Sequence, residues 1–285
     1  MKFSTIPYAD AALVLSLLLA PLPTAAMFRC AHVVSDGQQF NLEKLGGPHS
    51  VVTSLVEGSG MYNTTYTVDI CTYLKKTKSD QCPNSTRVCA IKRLINPGEN
   101  NDTIEAVTPL AGELANVGGA PLDPQVSRLS KVDPGSGKEG LRVILKGGFR
   151  YMDNVKRKQH TVIDFVCNKD LDGTEGEYDS KDKYEPNPVD ARAEGDGNEG
   201  EDKDEDENAP PKEVQLGIEN NPSLVFDRYG PSDSDTNVDI LHLTWYSKYV
   251  CESKVDDGED GSGGEDGDVK KPGSHWGVFT WIVIL

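Results

Sequence analysis

The sequence lacks most of the patterns that identify an enzyme. It has no Gly-x-Ser-x-Gly elbow, and residues 133–138 fail as a phosphate loop because one residue separates the glycines and Glu139 follows the lysine. Asp69, Asp164 and Glu43 are single acids on strand-like segments or loops, which we interpret as solvent-facing positions rather than a glycosidase pair. A catalytic triad assembled from distant residues stays open. We predict no catalytic residues, no cofactor and no enzymatic activity.

Metal-binding patterns are equally scarce. None of the six cysteines stands in a Cys-x-x-Cys pair and the five histidines are scattered, which argues against a zinc site. Residues 170–173 (Asp-Leu-Asp-Gly) resemble the start of a calcium loop, but Glu175 occupies the position where the EF-hand loop needs glycine. We therefore predict a solvated charged loop there and no metal site.

The N-terminus has the features of an export signal. Lys2 supplies a positive charge, residues 11–20 are an unbroken apolar run, and prolines and small residues follow up to Ala26. This order predicts a cleavable signal peptide over residues 1–26, with the mature chain starting at Met27.

The cysteines and the glycosylation sequons agree with export. All six cysteines follow the proposed cleavage site, and an even count in an oxidising compartment predicts three disulfides, for which fifteen pairings are possible. Three sequons begin at Asn63, Asn84 and Asn101, and they can be used only in the secretory pathway.

Acidic residues are concentrated in two segments. Residues 169–208 hold 17 acids against 5 bases, and residues 252–271 hold 8 against 3, which accounts for the whole formal charge of −17. Because both segments are poor in apolar residues, we expect a disordered insertion over about 169–212 and a flexible acidic linker over 253–274. The concentrated acid also argues against a nucleic-acid partner.

The C-terminal residues form an apolar run led by an aromatic residue. A spanning helix needs about 20 apolar residues, and residues 276–285 supply ten. We interpret residues 275–285 as the start of a truncated transmembrane helix. The alternative is a hydrophobic tail packed in the core.

The remaining sequence, within residues 27–252, has the patterns of an all-β domain. Turn signals, including Gly147-Gly148 and Tyr229-Gly230-Pro231, separate segments rich in β-branched residues and alternating with period two. The predicted strands are residues 66–71, 88–94, 141–145, 161–167, 223–226 and 240–246. We predict a sandwich or flattened barrel.

Two cysteine motifs carry a family resemblance. The patterns Gln-x-x-x-Ile-x-Phe-x-Cys at residues 159–167 and Trp-x-Ser-x-Tyr-x-Cys at residues 245–251 resemble the mannose 6-phosphate receptor homology domain. With the acidic linker and the apolar run, the chain is most similar to the autophagy-related protein 27 family of fungal type I membrane proteins. The resemblance implies a flattened β-barrel of two crossed antiparallel sheets and the disulfides Cys30–Cys71, Cys82–Cys89 and Cys167–Cys251.

The resemblance also locates a vestigial sugar site. Lectin members of the wider family bind mannose with a Gln, an Arg, a Glu and a Tyr. Aligned on the motifs, Gln159 replaces the Arg, Thr244 replaces the Glu, and Tyr249 keeps the Tyr. Because both charged groups are lost, we expect weak glycan binding at most.

The function implied by the resemblance is membrane traffic for autophagy. A single-pass type I membrane protein with a lumenal β-domain would aid retrieval and cycling of autophagy-related protein 9 between Golgi, endosomal and cytoplasmic vesicles, vacuole and the preautophagosomal structure. The family is also linked to phosphatidylinositol 3-phosphate signalling. The alternatives are a lectin that sorts mannose-bearing glycoproteins and a soluble secreted enzyme or binding module. Glycan-array binding that is lost in Tyr249→Phe would favour the lectin.

Overall fold

Twelve β-strands make up roughly half of the residues that the computed structural model describes, which are residues 28–96, 102–186 and 213–252. The predicted signal peptide, the latter part of the acidic insertion, the predicted acidic linker and the apolar run lie outside the described residues. The strands are β1 Val33–Ser35, β2 Gln38–Phe40, β3 His49–Glu57, β4 Gly60–Val68, β5 Thr86–Ile95, β6 Thr103–Gly112, β7 Gln125–Arg128, β8 Gly140–Met152, β9 Val155–Cys167, β10 Val214–Gln215, β11 Leu224–Pro231 and β12 Val238–Ser247.

The helical elements among these residues are short. One α-helical turn, α1, spans Leu129–Val132. The 3₁₀ turns are Glu43–Leu45, Ala115–Val117, Ile218–Asn220 and Lys248–Val250.

Ten strands form one nearly closed, barrel-like sheet. Their order is β10-β3-β4-β5-β6-β8-β9-β12-β11, with β7 paired to β8, and β1 and β2 form a separate small sheet. Neighbours are antiparallel except β9 and β12, which run parallel from Lys158 opposite Val238 to Cys167 opposite Ser247. The predicted all-β barrel is confirmed, and each predicted strand overlaps an observed one.

The core lies between the β3–β6 half of the sheet and the half made by β8, β9, β11 and β12. In β12, Leu241, Leu243 and Trp245 face inward at every second position and are fully or almost fully buried. Trp245 stacks on Phe165 at 5.4 Å between ring centroids. Burying a large apolar side chain stabilises a fold by about 1.5–3 kcal/mol, so this alternation specifies which face of β12 is internal.

The glycine pair Gly147-Gly148 is not the turn that we predicted. Both residues lie inside β8, at an irregularity between Leu145 and Gly148 where β6 approaches β8. A Cβ atom on Gly147 would lie 2.1 Å from the carbonyl oxygen of Gly112, and one on Gly148 would lie 2.2 Å from that of Leu110. The glycines therefore allow close approach of two backbones. The predicted turn at residues 229–231 is likewise wrong, because β11 continues to Pro231.

Three disulfides pair all six cysteines. They join Cys30 to Cys71, Cys82 to Cys89 and Cys167 to Cys251, with Cα–Cα distances of 5.3, 6.0 and 4.5 Å. These are the pairs that the family resemblance implied. The third bond links the end of β9 to the residue after the last 3₁₀ turn, and so closes the 84-residue separation that contains the acidic insertion. A native disulfide of this kind is typically worth about 2–5 kcal/mol.

Candidate functional site

The structure does not bring the three predicted glycan-binding residues together. Gln159 lies opposite Asp239 in the parallel pairing of β9 and β12, whereas Thr244 lies opposite Asp164, five positions further along. Five positions on a strand correspond to about 17 Å. Gln159 is fully buried, but Thr244 is partly exposed on the opposite face of the sheet. The side chains of Gln159 and Thr244 therefore cannot both bind one sugar ring in this arrangement.

Each of these residues already has local partners. Thr244 donates its hydroxyl to Asp227 Oδ2 at 2.9 Å. Tyr249 lies half-buried in the 3₁₀ turn after β12, with Lys248 Nζ at 5.3 Å from its ring centroid. The amide of Gln159 has both ends occupied inside the protein, as described next.

Asp239 is the centre of a buried polar network at the end of the barrel where β12 begins. Its carboxylate accepts hydrogen bonds from Arg150 Nε at 2.8 Å, from Arg157 at 2.5 Å and from Gln159 Nε2 at 3.0 Å. The side chain of Asp239 is fully buried, and the two arginines are partly exposed. Burial raises the pKa of Asp239, but the hydrogen bonds and the arginine charges outweigh it and hold the pKa below its usual value. The paired guanidinium groups neutralise a charge that would otherwise be costly to bury.

Tyrosine side chains extend this network across the barrel. Tyr229 donates its hydroxyl to Gln159 Oε1 at 2.6 Å, and its ring meets that of Tyr66 edge-on at 5.9 Å. Tyr66 donates in turn to Glu213 Oε1 at 2.9 Å. Burial raises the pKa of both tyrosines well above the ordinary value, so both hydroxyls stay protonated donors at neutral pH. The network thus joins β4 to β9, β11 and β12.

The first part of the acidic insertion is ordered, contrary to our expectation of disorder from residue 169. We call residues 169–186 the crossing segment. It begins beside the core, where Gly173 O accepts a hydrogen bond from Trp245 Nε1 at 2.7 Å. It then contacts β3 through Glu177 and His49, whose carboxylate oxygen and Nδ1 are 2.5 Å apart, and β4 through Ser180 and Thr65 at 2.8 Å.

The crossing segment ends on the outer face of β5. Asp182 accepts a bidentate pair of hydrogen bonds from Arg93 Nε and Nη2 at 2.9 and 2.6 Å. Tyr184 is buried against the Cys82–Cys89 disulfide, and its hydroxyl accepts from the Cys82 backbone N–H at 3.0 Å. Composition predicted disorder because it counts the acidic residues of the segment itself. It does not include the basic and aromatic side chains on distant strands that these residues contact in the folded protein.

The calcium-loop candidate is held by its own glutamate. Glu175 accepts hydrogen bonds from the backbone N–H groups of residues 172–174 and from the Ser223 hydroxyl. Partial burial raises the pKa of Glu175, but these hydrogen bonds dominate and lower it to about 2. The carboxylate therefore completes a turn of the protein. No group of three or more His, Cys, Asp or Glu side chains suited to a metal ion occurs within residues 28–96, 102–186 and 213–252.

The sequons lie in different surroundings. Asn84 is exposed in the turn before β5, whereas Asn63 is half-buried in β4 between β3 and β5, with its Oδ1 enclosed. Asn101 lies outside the described residues. Asp69 is also not solvent-facing as we predicted, because it is buried and accepts hydrogen bonds from the backbone N–H groups of Cys71 and Thr72.

A shallow cleft of about 160 Å³ lies near the start of the mature chain. Its lining residues are Phe28, Arg29, His32, Val33, Val34, Pro124 and Val126. It is small for a ligand pocket, since pockets for small molecules usually measure about 300–1,000 Å³.

Comparison with known proteins decides the family. The family model described as autophagy-related protein 27 matches residues 13–285. The chain belongs to the autophagy-related protein 27 family. It is 40% identical to the autophagy-related protein 27 of Gibberella zeae over 286 aligned residues, covering 96% of this chain and 80% of the relative. It is 36% identical to that of Arthroderma benhamiae over 261 residues, covering 92% and 76%.

Membership in the autophagy-related protein 27 family supports a role in autophagy. No solved structure matched this family member. In the part of the chain that the structure describes, no helix is long and apolar enough to cross a membrane.

Proposed function

We propose that this chain is a single-pass type I membrane protein of autophagy-related vesicle traffic, with its disulfide-bonded β-domain on the lumenal side. The observation that carries the proposal is the complete pairing of the six cysteines, because stable structural disulfides form in oxidising compartments and are rare in the cytosol. The signal peptide predicted over residues 1–26 and the sequons point to the same compartment.

In this proposal the protein serves traffic by binding rather than by catalysis. It aids retrieval and cycling of autophagy membrane proteins, autophagy-related protein 9 among them, between Golgi, endosomes, vacuole and the preautophagosomal structure. It acts there as an effector of phosphatidylinositol 3-phosphate signalling. Family membership and the family resemblance support this assignment. Gln159 and Thr244 already form hydrogen bonds with Asp239 and Asp227, which favours a protein-trafficking role over glycan binding.

Protease protection tests the membrane arrangement. Sealed vesicles from fungal cells that express the full chain are treated with trypsin, with and without detergent, and the β-domain is followed with an antibody. We expect the domain to be digested only after detergent opens the vesicles. Digestion without detergent would contradict the proposal.

A further inference from the structure

The hairpin formed by β8 and β9 projects beyond its neighbours in the sheet. The two strands pair from Gly148 opposite Gln159 to Met152 opposite Val155. β12 pairs with β9 only from Lys158 onward, and the bridge between β6 and β8 is at Gly147. Among the strands that the structure describes, none pairs with residues 149–157 from outside, so these residues form a two-stranded ribbon. Asp153 and Asn154 make its two-residue turn, with φ values of 51° and 63°.

The ribbon tip exposes apolar side chains on both of its faces. Tyr151 is 65% exposed, Val155 59% and Met152 44%. Tyr151 shares a face with Phe149, and Met152 and Val155 lie on the opposite face because side chains alternate along each strand. A partner protein that packed against one face would leave the other face exposed to water. A lipid interface into which the tip inserts would cover both faces.

The same ribbon is basic in a chain whose net charge is −17. Lys156 in the ribbon and Lys158 just after it are exposed, and neither has a carboxylate partner among the described residues. Lys156 Nζ lies over the Phe149 ring at 5.5 Å from its centroid. Arg150 and Arg157 point to Asp239 at the base of the ribbon. The one acid in the ribbon is Asp153, which limits insertion to the headgroup region.

We propose that the tip of the β8–β9 hairpin binds the surface of an anionic lipid bilayer. Tyr151, Met152 and Val155 reach the boundary between headgroups and acyl chains, while Lys156 and Lys158 contact lipid phosphates. Exposed aromatic and aliphatic groups beside lysines are the combination by which peripheral elements hold to such membranes. An acidic polypeptide would satisfy the lysines, but a charged coil has few apolar groups to cover the tip. This inference rests on the hairpin geometry and charge, and with the β-domain on the lumenal side, as proposed above, the bilayer surface that the tip meets is the lumenal leaflet.

Hydrogen–deuterium exchange of the full, oxidised chain tests the proposal. The chain is mixed with vesicles of phosphatidylcholine alone, with vesicles of phosphatidylcholine and phosphatidylserine in equal parts, or with soluble polyglutamate. We expect the backbone N–H groups of residues 151–156 to exchange more slowly only with the anionic vesicles. This readout is local, so binding by any other part of the chain does not mimic it.

Paired variants supply the controls. Tyr151→Ser with Val155→Ser removes the apolar groups, and Lys156→Gln with Lys158→Gln removes the charges. Each surface lysine contributes about 1 kcal/mol of membrane attraction, so we expect the lysine pair to weaken anionic-vesicle binding at the hairpin roughly tenfold or more. The matched control is Val56→Ser with Met61→Ser at the β3–β4 hairpin. Val56 is 62% exposed and Met61 37%, but the nearby Lys92 is paired with Glu57. This control variant should leave binding unchanged.

Three outcomes would overturn the proposal. One is that exchange at residues 151–156 is unaffected by anionic vesicles while thermal unfolding shows an intact fold. Another is that the β3–β4 control variant weakens binding as much as the β8–β9 variants do. The third is that polyglutamate slows exchange at the hairpin and vesicles do not, which would make the partner an acidic polypeptide.

Discussion

Asp239 shows how much one buried charge can matter. Its carboxylate has no exposure and depends on Arg150, Arg157 and Gln159 for all of its compensation. Breaking a buried, hydrogen-bonded charge cluster by removing one charge is strongly destabilising, because the remaining charges stay partly desolvated. The sequence could not reveal this cluster, since Asp239 lies 80 to 89 residues from its three partners and meets them only through the pairing of β12 with the β8–β9 hairpin.

Asp239→Asn should therefore lower the free energy of unfolding by about 3 kcal/mol. Denaturant titration of the oxidised full chain measures it. Asp233→Asn is the control, because Asp233 forms only an exposed 3.8 Å pair with Arg228 and should change stability by less than about 0.5 kcal/mol. Equal unfolding midpoints for the two variants would show that the Asp239 network does not hold the barrel end together.

His49 should titrate above the usual range for histidine. Burial lowers its pKa, but the hydrogen bond and charge of Glu177 outweigh burial and raise it above 6.5. The resulting stability is complete below pH 6.5 and is lost as the pH rises through the folded-state pKa. NMR titration measures each histidine separately.

In Glu177→Gln the pKa of His49 should fall below that of the wild type, because burial then acts without the compensating charge. His160 and His242 serve as internal controls. Burial lowers the pKa of each of these two histidines, and nearby cationic side chains lower it further. Glu177 does not contribute to either pKa. An unchanged His49 titration in the variant would refute the contact between the crossing segment and β3.

The two described sequons should differ in glycan occupancy. Asn84 is exposed in a turn, whereas a glycan on Asn63 would have to leave from a half-buried side chain in a central strand. In the chain expressed in fungal cells, Asn84→Gln should therefore remove one glycan step from the gel mobility, and Asn63→Gln should remove none. A mobility step lost in Asn63→Gln would contradict the position of that side chain.

Whole elements were predicted to different extents. The strands that contribute to β4, β5, β8, β9, β11 and β12 were identified because alternating β-branched residues specify a pleated surface with one buried face. β3 and β6 were not identified, and Gly147-Gly148 was misinterpreted because glycine marks both turns and close backbone approaches. The crossing segment was missed because its order comes from tertiary partners such as Arg93, which lies 89 residues away from Asp182.

The crossing segment should detach when its anchor on β5 is removed. Arg93→Met deletes the bidentate hydrogen bonds to Asp182, a loss of about 1.5–3 kcal/mol that raises the detached population roughly tenfold or more. Mass spectrometry of limited trypsin digests should show faster cleavage after Lys181 and Lys183. Lys75→Met is the control, because the Lys75–Glu185 pair is exposed. Equal cleavage rates in the two variants would show that Asp182 does not anchor the segment.

At the scale of the whole molecule, the three disulfides are the basis for proposing an oxidising compartment, and family membership supports a role in autophagy. The barrel sheet, the disulfides and the buried network link strands that are distant in sequence into one domain. Its described residues contain no group of three or more His, Cys, Asp or Glu side chains suited to a metal ion. The disulfide pairs followed from the resemblance, because six cysteines alone allow fifteen pairings. The sequence could not show whether the predicted glycan-binding residues lie on one face of the sheet, since that depends on the pairing register of β9 and β12.

The most direct test of the central claim is the distribution of autophagy-related protein 9 in a fungus whose own family member is deleted. Fluorescence microscopy would compare cells with and without this chain, alongside delivery of cytosol to the vacuole. We predict that loss of the chain mislocalises autophagy-related protein 9 and reduces delivery, and that wild type and Tyr249→Phe restore both equally. An unchanged distribution and unchanged delivery would contradict the account, and rescue by wild type but not by Tyr249→Phe would instead favour a lectin.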